Sequence, residues 1–256
     1  MNIQGKAAVV TGASRGVGEA TAMALARGGC SVLINYSSSR AEAESVAETA
    51  RALGVNAVTF QGDVADDAAC TAMMDKAAAE FGRLDILVNN AGTTQFVRHD
   101  ALELVTDALW DRILGVNLKG PFQCVRAARR HMEAAGEGVV VNVASIAGVA
   151  GVGSSIPYCA SKAALINLTI TLARALGPAI RVNTVAPGFI EGKWLEQGLG
   201  AMYEPVRKRN MERAVLGKVC TAGDVADAIM AFITGSSLIT GQTVVCDGGM
   251  LIGPKI

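Results

Sequence analysis

The sequence predicts an α/β domain built on a doubly wound parallel sheet of about seven strands with helices on both faces. Two observations carry this reading. Short β-rich runs alternate with helical stretches along the chain, and several of those runs are nearly continuous in Val, Ile and Leu, as in parallel strands covered on both sides. Right-handed crossovers then give three layers. With 51% hydrophobic and 18% charged residues, the 256-residue chain suits a single domain, residues 1–256, with a large core.

The expected strands are Ala7–Thr11, Ser31–Asn35, Ala57–Gln61, Leu84–Asn89, Val139–Ala144, Arg181–Val185 and Thr243–Cys246. The first runs into Thr11-Gly12-Ala13-Ser14-Arg15-Gly16-Val17-Gly18, and a helical pattern follows from Glu19 to Arg27. This is a phosphate-binding turn. Gly12 permits the tight turn, Gly16 close backbone approach and Gly18 helix-to-strand packing, while the helix N-terminus offers free N–H groups to a pyrophosphate. The second strand ends at Asn35-Tyr36-Ser37-Ser38-Ser39-Arg40, with no acid to hold a ribose 2'-hydroxyl. Arg15 and Arg40, with the serine hydroxyls, suit a 2'-phosphate instead, which favours NADP over NAD.

Farther along, Ser145 follows the fifth strand and Tyr158-Cys159-Ala160-Ser161-Lys162 opens a helical stretch. Residues four apart share a helix face, so the phenol and the ammonium meet in one cleft. A neighbouring cation is expected to lower the Tyr158 pKa from its usual value of about 10, making it a usable acid near neutral pH. Pro121 follows Asn117 by four residues and has no N–H to donate to the Asn117 carbonyl, which is thereby free to hold a water.

Other chemistry is less favoured. Lys+Arg and Asp+Glu both total 23, a formal net charge of +0, so no global field recruits nucleic acid or an anionic membrane. Cys30, Cys70, Cys124, Cys159, Cys220 and Cys246 are scattered without a C-x-x-C pair, the chain starts on polar residues, and the apolar runs are interrupted; a reduced cytoplasmic protein is expected. His99 and His131 lack partners at metal-ligand spacing, so no metal site is expected. Residues 189–213 set glycines among bulky apolar groups and suit either a substrate lid or a surface helical pair.

Taken in order, these motifs resemble the short-chain dehydrogenase/reductase family, nearest its β-ketoacyl carrier-protein reductase-like branch. The match also includes Asp63-Val64, Asn89-Asn90-Ala91-Gly92, Pro187-Gly188 and Asp247-Gly248-Gly249. The resemblance implies a Rossmann-type fold and an NADP-dependent oxidoreductase moving hydride between nicotinamide and a carbonyl or secondary alcohol. It implies that Tyr158 protonates the oxygen, Ser145 hydrogen-bonds it, Lys162 stabilises the phenolate and holds the nicotinamide ribose, and Asn117 relays protons through water. Asp63 and Val64 would contact the adenine, Asn90, Ala91 and Gly92 the cofactor's path, and Ile190 after Pro187-Gly188 the carboxamide. It further implies a homotetramer, through Asp107–Ala135 and Ser155–Leu176.

Two departures limit the resemblance. Gly192 stands where many members carry a hydroxyl residue. The loops Gly136–Gly138 and Gly177–Ala179 lack the basic residues of carrier-docking entrances, leaving Arg129, Arg130 and Arg207-Lys208-Arg209 to compensate. A carrier-bound acyl substrate, NAD-dependent oxidation of a sugar or cyclic alcohol, and a dinucleotide-sensing binding protein are the alternatives. Phe96, Val97, Val152, Trp194, Leu195 and Met202 are the expected pocket residues.

Overall fold

A computed structural model describes residues 1–253. Its centre is a seven-stranded, wholly parallel sheet in the order β3-β2-β1-β4-β5-β6-β7. The strands are β1 (Ala7–Val10), β2 (Ser31–Tyr36), β3 (Ala57–Gln61), β4 (Ile86–Asn89), β5 (Gly138–Val143), β6 (Ile180–Pro187) and β7 (Thr243–Cys246). The helices are α1 (Gly16–Arg27), α2 (Arg40–Ala52), α3 (Asp67–Phe81), α4 (Asp107–Leu114), α5 (Gly120–Ala134), α6 (Ala147–Ala150), α7 (Ile156–Leu176), α8 (Lys193–Leu199), α9 (Tyr203–Arg213) and α10 (Ala222–Thr234).

Side-chain alternation divides the core between the two faces. Ala8 and Val10 of β1 join Val32, Ile34, Ile86 and Val88 beneath α1, α2 and α10. Val9 and its same-face neighbours Leu33, Leu87 and Val140 pack beneath α3, α5 and α7. Strand order reverses between β1 and β4, which puts the crevice for a dinucleotide beyond their C-terminal ends.

Asp107–Ala134 is helical without interruption, as expected, but it is not a uniform α-helix. Between α4 and α5 the residues Gly115–Lys119 form a π segment, and Pro121 sits in the first turn of α5. Pro121 has no N–H to donate back into the π segment, which accommodates it within the continuous helical path. The bulge carries Asn117, consistent with the tendency of π-bulges to occur at functional sites.

The loops Gly136–Gly138 and Gly177–Ala179 do not flank the reaction mouth. Both precede strands, so they lie at the N-terminal edge of the sheet, joined by a hydrogen bond from Gly138 N to Ala179 O (2.9 Å). Residues 189–213 fold as the helical pair α8 and α9. Helix α7 is long and apolar enough to span a membrane by composition, yet it packs against β6 and supplies core side chains.

Candidate active site

The site grows from α7. Ser155 caps this helix by accepting from Tyr158 N (3.4 Å), which places Tyr158 in the first turn and Lys162 one turn later on the same face. The Lys162 ammonium lies 5.7 Å from the Tyr158 ring centroid. It donates to the Val143 carbonyl at 2.8 Å, at the C-terminal end of β5. Ser145 follows two residues later, its hydroxyl accepting from Ala147 N at 3.1 Å.

The electrostatics reverse the expectation for Tyr158. Burial pushes its pKa up to about 12, against the opposing effect of the Ser145 hydroxyl. Lys162 is 4% exposed, and desolvation brings its pKa down to about 8. Desolvation disfavours the charged form of each group, and Lys162 has a neutral carbonyl rather than a carboxylate as its partner. The phenol therefore stays protonated at neutral pH while the ammonium remains mostly charged.

Asn117, wholly buried, locks the loop after β4 to α7. Its Oδ1 accepts from Thr93 N (2.8 Å), and its Nδ2 donates to Thr93 O (2.9 Å) and to Ser161 Oγ (3.1 Å). Gly92 sits just above: a Cβ there would stand 3.6 Å from both Asn117 Oδ1 and Lys162 Nζ.

The Gly-rich turn is braced from two sides. Asn35 Oδ1 accepts from Gly12 N (3.1 Å), while its Nδ2 donates to the carbonyls of Phe60 (3.3 Å) and Gly62 (3.0 Å). Asn90 Nδ2 donates to the carbonyls of Thr11 and Gly12, both at 2.9 Å. Thr11 Oγ1 accepts from Asn90 N and Ala91 N, both at 3.0 Å. Beyond the turn, no side chain caps the first turn of α1, so its amides remain available to a phosphate. This turn fits a dinucleotide pyrophosphate.

Gly12 and Gly18 are required sterically. Gly12 has φ of 61° and a Cβ there would lie 2.9 Å from Ala91 Cα; a Cβ on Gly18 would lie 2.4 Å from Gly12 O. Gly18→Ala should cost about 1–3 kcal/mol by overpacking and displace the turn. A lowered thermal midpoint with weakened dinucleotide binding is the expected result of melts and titrations on that variant.

Several residues expected to touch a cofactor have other work. Asn35 has its side-chain groups committed to the turn and β3. Tyr36 is 5% exposed and belongs to the core, so its ring does not reach a ribose. Asp63 accepts from Ala65 N (2.9 Å) and pairs with Arg112 (2.6 Å); despite an upward push from burial, these bonds hold its pKa below the usual carboxylate range. Val64 is buried, with its carbonyl accepting from Gln123 Nε2. Ser14 is buried in the turn, Val17 half-buried, and Arg15, Gly16, Ser37 and Arg40 are exposed at its rim.

The Pro187–Ile190 loop is held by Ile146 N donating to Pro187 O (2.9 Å) and Gly188 N to Cys246 O (2.8 Å). Ile190 forms a parallel bridge with Cys220. Among the expected pocket residues, Val97 is only 7% exposed and packs inward, whereas Phe96, Val152, Trp194 and Met202 are exposed. Thr11, Thr93 and Arg112 had no role in the sequence reading. Thr11 is signalled by its place before the first glycine, but the Arg112–Asp63 pair spans 49 residues and leaves no local trace.

Comparison with known proteins identifies the family and the fold. A family model described as Enoyl-(Acyl carrier protein) reductase matches residues 12–251. The 3-oxoacyl-acyl-carrier-protein reductase of Staphylococcus aureus is 37% identical over 248 residues, 96% of this chain and 98% of that protein. A short-chain dehydrogenase/reductase structure from Burkholderia xenovorans superposes with a TM-score of 0.89 at 36% identity, covering 97% of this chain and 98% of that one. The structure of NAD+-bound xylitol dehydrogenase gives a TM-score of 0.89 at 29% identity, covering 97% and 100%. The chain is an oxidoreductase that belongs to the short-chain dehydrogenase/reductase family, in its ketoacyl reductase-like branch.

Proposed function

We propose that this protein is an NADP-dependent carbonyl reductase or alcohol dehydrogenase acting on a small or medium, partly apolar oxo compound. The observation that carries the reading is the convergence of a protonated Tyr158, Ser145 and a buried Lys162 at the C-terminal end of β5. When bound, the nicotinamide supplies the hydride chemistry. Tyr158 gives its proton to the substrate oxygen, Ser145 orients that oxygen, and the Lys162 charge stabilises the resulting phenolate. Asn117 fixes the Thr93 loop against α7 and is the inner end of the water relay. Gly12, Gly16, Val17, Gly18 and Ser14 form the phosphate cradle, with Asp63, Val64, Asn90, Ala91, Gly92, Pro187, Gly188 and Ile190 along the rest of the cofactor's path.

Reduction requires a protonated phenol and a charged ammonium, so Lys162 sets the alkaline limit. With its pKa at about 8, kcat/KM for reduction should be level below that pH and fall about tenfold per unit above it. A profile level to about pH 10 would remove the Lys162 charge from the mechanism.

The preference for NADP rests on Arg15 and Arg40, exposed, without a carboxylate within ion-pair distance among the described residues, beside the end of β2. Arg40→Ala with Arg15→Ala should raise the KM for NADPH tenfold or more, by loss of about 1.5–3 kcal/mol of charge-assisted bonding, and leave NADH nearly unaffected. Equal losses for both cofactors would favour the NAD reading.

The carrier-thioester alternative is supported by the Staphylococcus aureus relative. Against it, three of the five basic residues expected to compensate are paired, Arg129 with Glu133, Arg130 with Asp75 and Arg207 with Glu191. Comparing turnover of a free ketone with the matching carrier thioester separates the two. Residues 189–213 serve as the substrate lid, and a homotetramer uses the partly exposed faces of α5 and α7, where Phe122 stands 40% exposed. The six free cysteines fit a reducing, cytoplasmic setting. Tight dinucleotide binding without turnover on a broad carbonyl and alcohol panel would instead indicate a dinucleotide sensor.

A further inference from the structure

Two aromatic side chains from different segments pair and stay open to solvent. Phe96 lies on the loop after β4 and is 37% exposed; Trp194 lies in the first turn of α8 and is 49% exposed. Their ring centroids are 6.4 Å apart and their planes are tilted by 55°, which leaves ring faces and edges available to a further ring.

Both segments are tied to the site. Thr94 Oγ1 lies 2.7 Å from Ser154 Oγ, and Val97 N donates to Ser154 O at 2.9 Å. Ser154 immediately precedes the Ser155 cap of the helix that carries Tyr158. Trp194 follows the Pro187–Ile190 loop by four residues, and Gly192 N donates to Tyr203 Oη (3.4 Å), which ties the start of α8 to α9. Phe96 is thus on a loop tied to the cap of the Tyr158 helix, and Trp194 on the helix that follows the Pro187–Ile190 loop.

One glycine makes the arrangement possible. A Cβ on Gly198 would fall 2.0 Å from Phe96 Cε2 and 2.5 Å from its Cζ, so only hydrogen at this position lets the ring lie against α8. The neighbouring charges largely cancel. Arg98 holds Asp100 through two bonds (2.9 and 2.5 Å), and Glu191 holds Arg207 (2.7 and 2.6 Å). Lys193 and Glu196 stand one turn apart on α8. An aromatic pair open to solvent beside a site of this kind offers apolar surface to a ligand.

We propose that Phe96 and Trp194 select ketones carrying an uncharged flat ring, aryl or fused, whose plane packs against the tilted pair while the carbonyl reaches Ser145 and Tyr158. This rests on the carbonyl-reductase reading and adds the substrate class. The test compares phenylacetone with cyclohexylacetone, in which a methylene separates ring from carbonyl so that ring shape differs more than carbonyl reactivity. With NADPH, the kcat/KM ratio should favour the flat ring by about tenfold. Trp194→Leu and Phe96→Leu should bring the ratio to within about twofold of unity. Gly198→Ala touches neither ring chemically and should do the same by displacing Phe96; thermal melts check that each variant is folded. A wild-type ratio near one, or a ratio unchanged in all three folded variants, overturns the proposal. No turnover of either ketone, nor of a wider ketone panel, overturns the carbonyl-reductase reading beneath it.

Discussion

Tyr158→Phe should keep its fold and its dinucleotide affinity while carbonyl reduction falls by about 10²–10⁴-fold, the range set by loss of a positioned general acid. In the proposed reaction the phenol gives the proton, because the aliphatic hydroxyl of Ser145 is a far weaker acid and the Lys162 ammonium is held by the Val143 carbonyl. Its burial, which pushes the pKa up to about 12, keeps the proton on the oxygen until charge develops on the substrate. Removing the hydroxyl takes away a desolvated polar group without opening a cavity, so the thermal midpoint should change little. KM for NADPH close to wild type together with collapsed kcat is the expected result. Undiminished turnover would sink the assignment of Tyr158.

Lys162→Met should abolish most turnover and at the same time stabilise the protein. The Lys162 pKa falls from 10.5 to about 8 through desolvation. A downward shift of this size corresponds to a penalty of about 3 kcal/mol for keeping the group charged in the fold. Loss of the bond to Val143 O offsets about 1 kcal/mol of that, leaving a net gain of about 2 kcal/mol. For a chain of this length, that is a rise of roughly 4–8 °C in thermal midpoint. The sign follows from the folded pKa lying below the unfolded one. The penalty is fully present below about pH 8 and is relieved as pH rises towards 10.5, so the advantage of Met should shrink across that window. Melting both proteins at pH 7 and near pH 10 checks this, and a destabilised variant at pH 7 would contradict the burial argument.

Much of the fold was legible because parallel strands buried on both faces leave continuous aliphatic runs. The seven expected strands match the observed ones to within two residues at each end, and the strand-turn-helix context located the Gly-rich turn. Tyr158 and Lys162 were legible from their spacing, Asn117 from Pro121 and the family resemblance, and Ser145 from the resemblance; the structure brings these residues to one end of the sheet. Direction along a strand was not used to its full extent. Residues after strands reach the site, whereas Gly136–Gly138 and Gly177–Ala179 precede strands and lie at the opposite edge.

Other features depend on tertiary packing that spacing does not encode. The Tyr158 pKa moves up because burial outweighs the hydrogen bond with the Ser145 hydroxyl, and burial depth is set by the whole fold. Tyr36 ends a strand next to the expected ribose site, but strand alternation sends its ring into the core. The π segment at Gly115–Lys119 leaves the helical path continuous, so the apolar periodicity reads Asp107–Ala135 as a single helix and does not reveal the local change of hydrogen bonding.

The central claim is that this site moves a hydride onto a carbonyl carbon while Tyr158 protonates the oxygen. Reduction of phenylacetone with NADPH deuterated at both C4 positions tests it most directly. Mass spectrometry should find one deuterium on the carbinol carbon of the product, formed by the wild type and nearly absent with Tyr158→Phe. NADPH oxidation without deuterium at that carbon, or labelled product formed equally by both proteins, would contradict it.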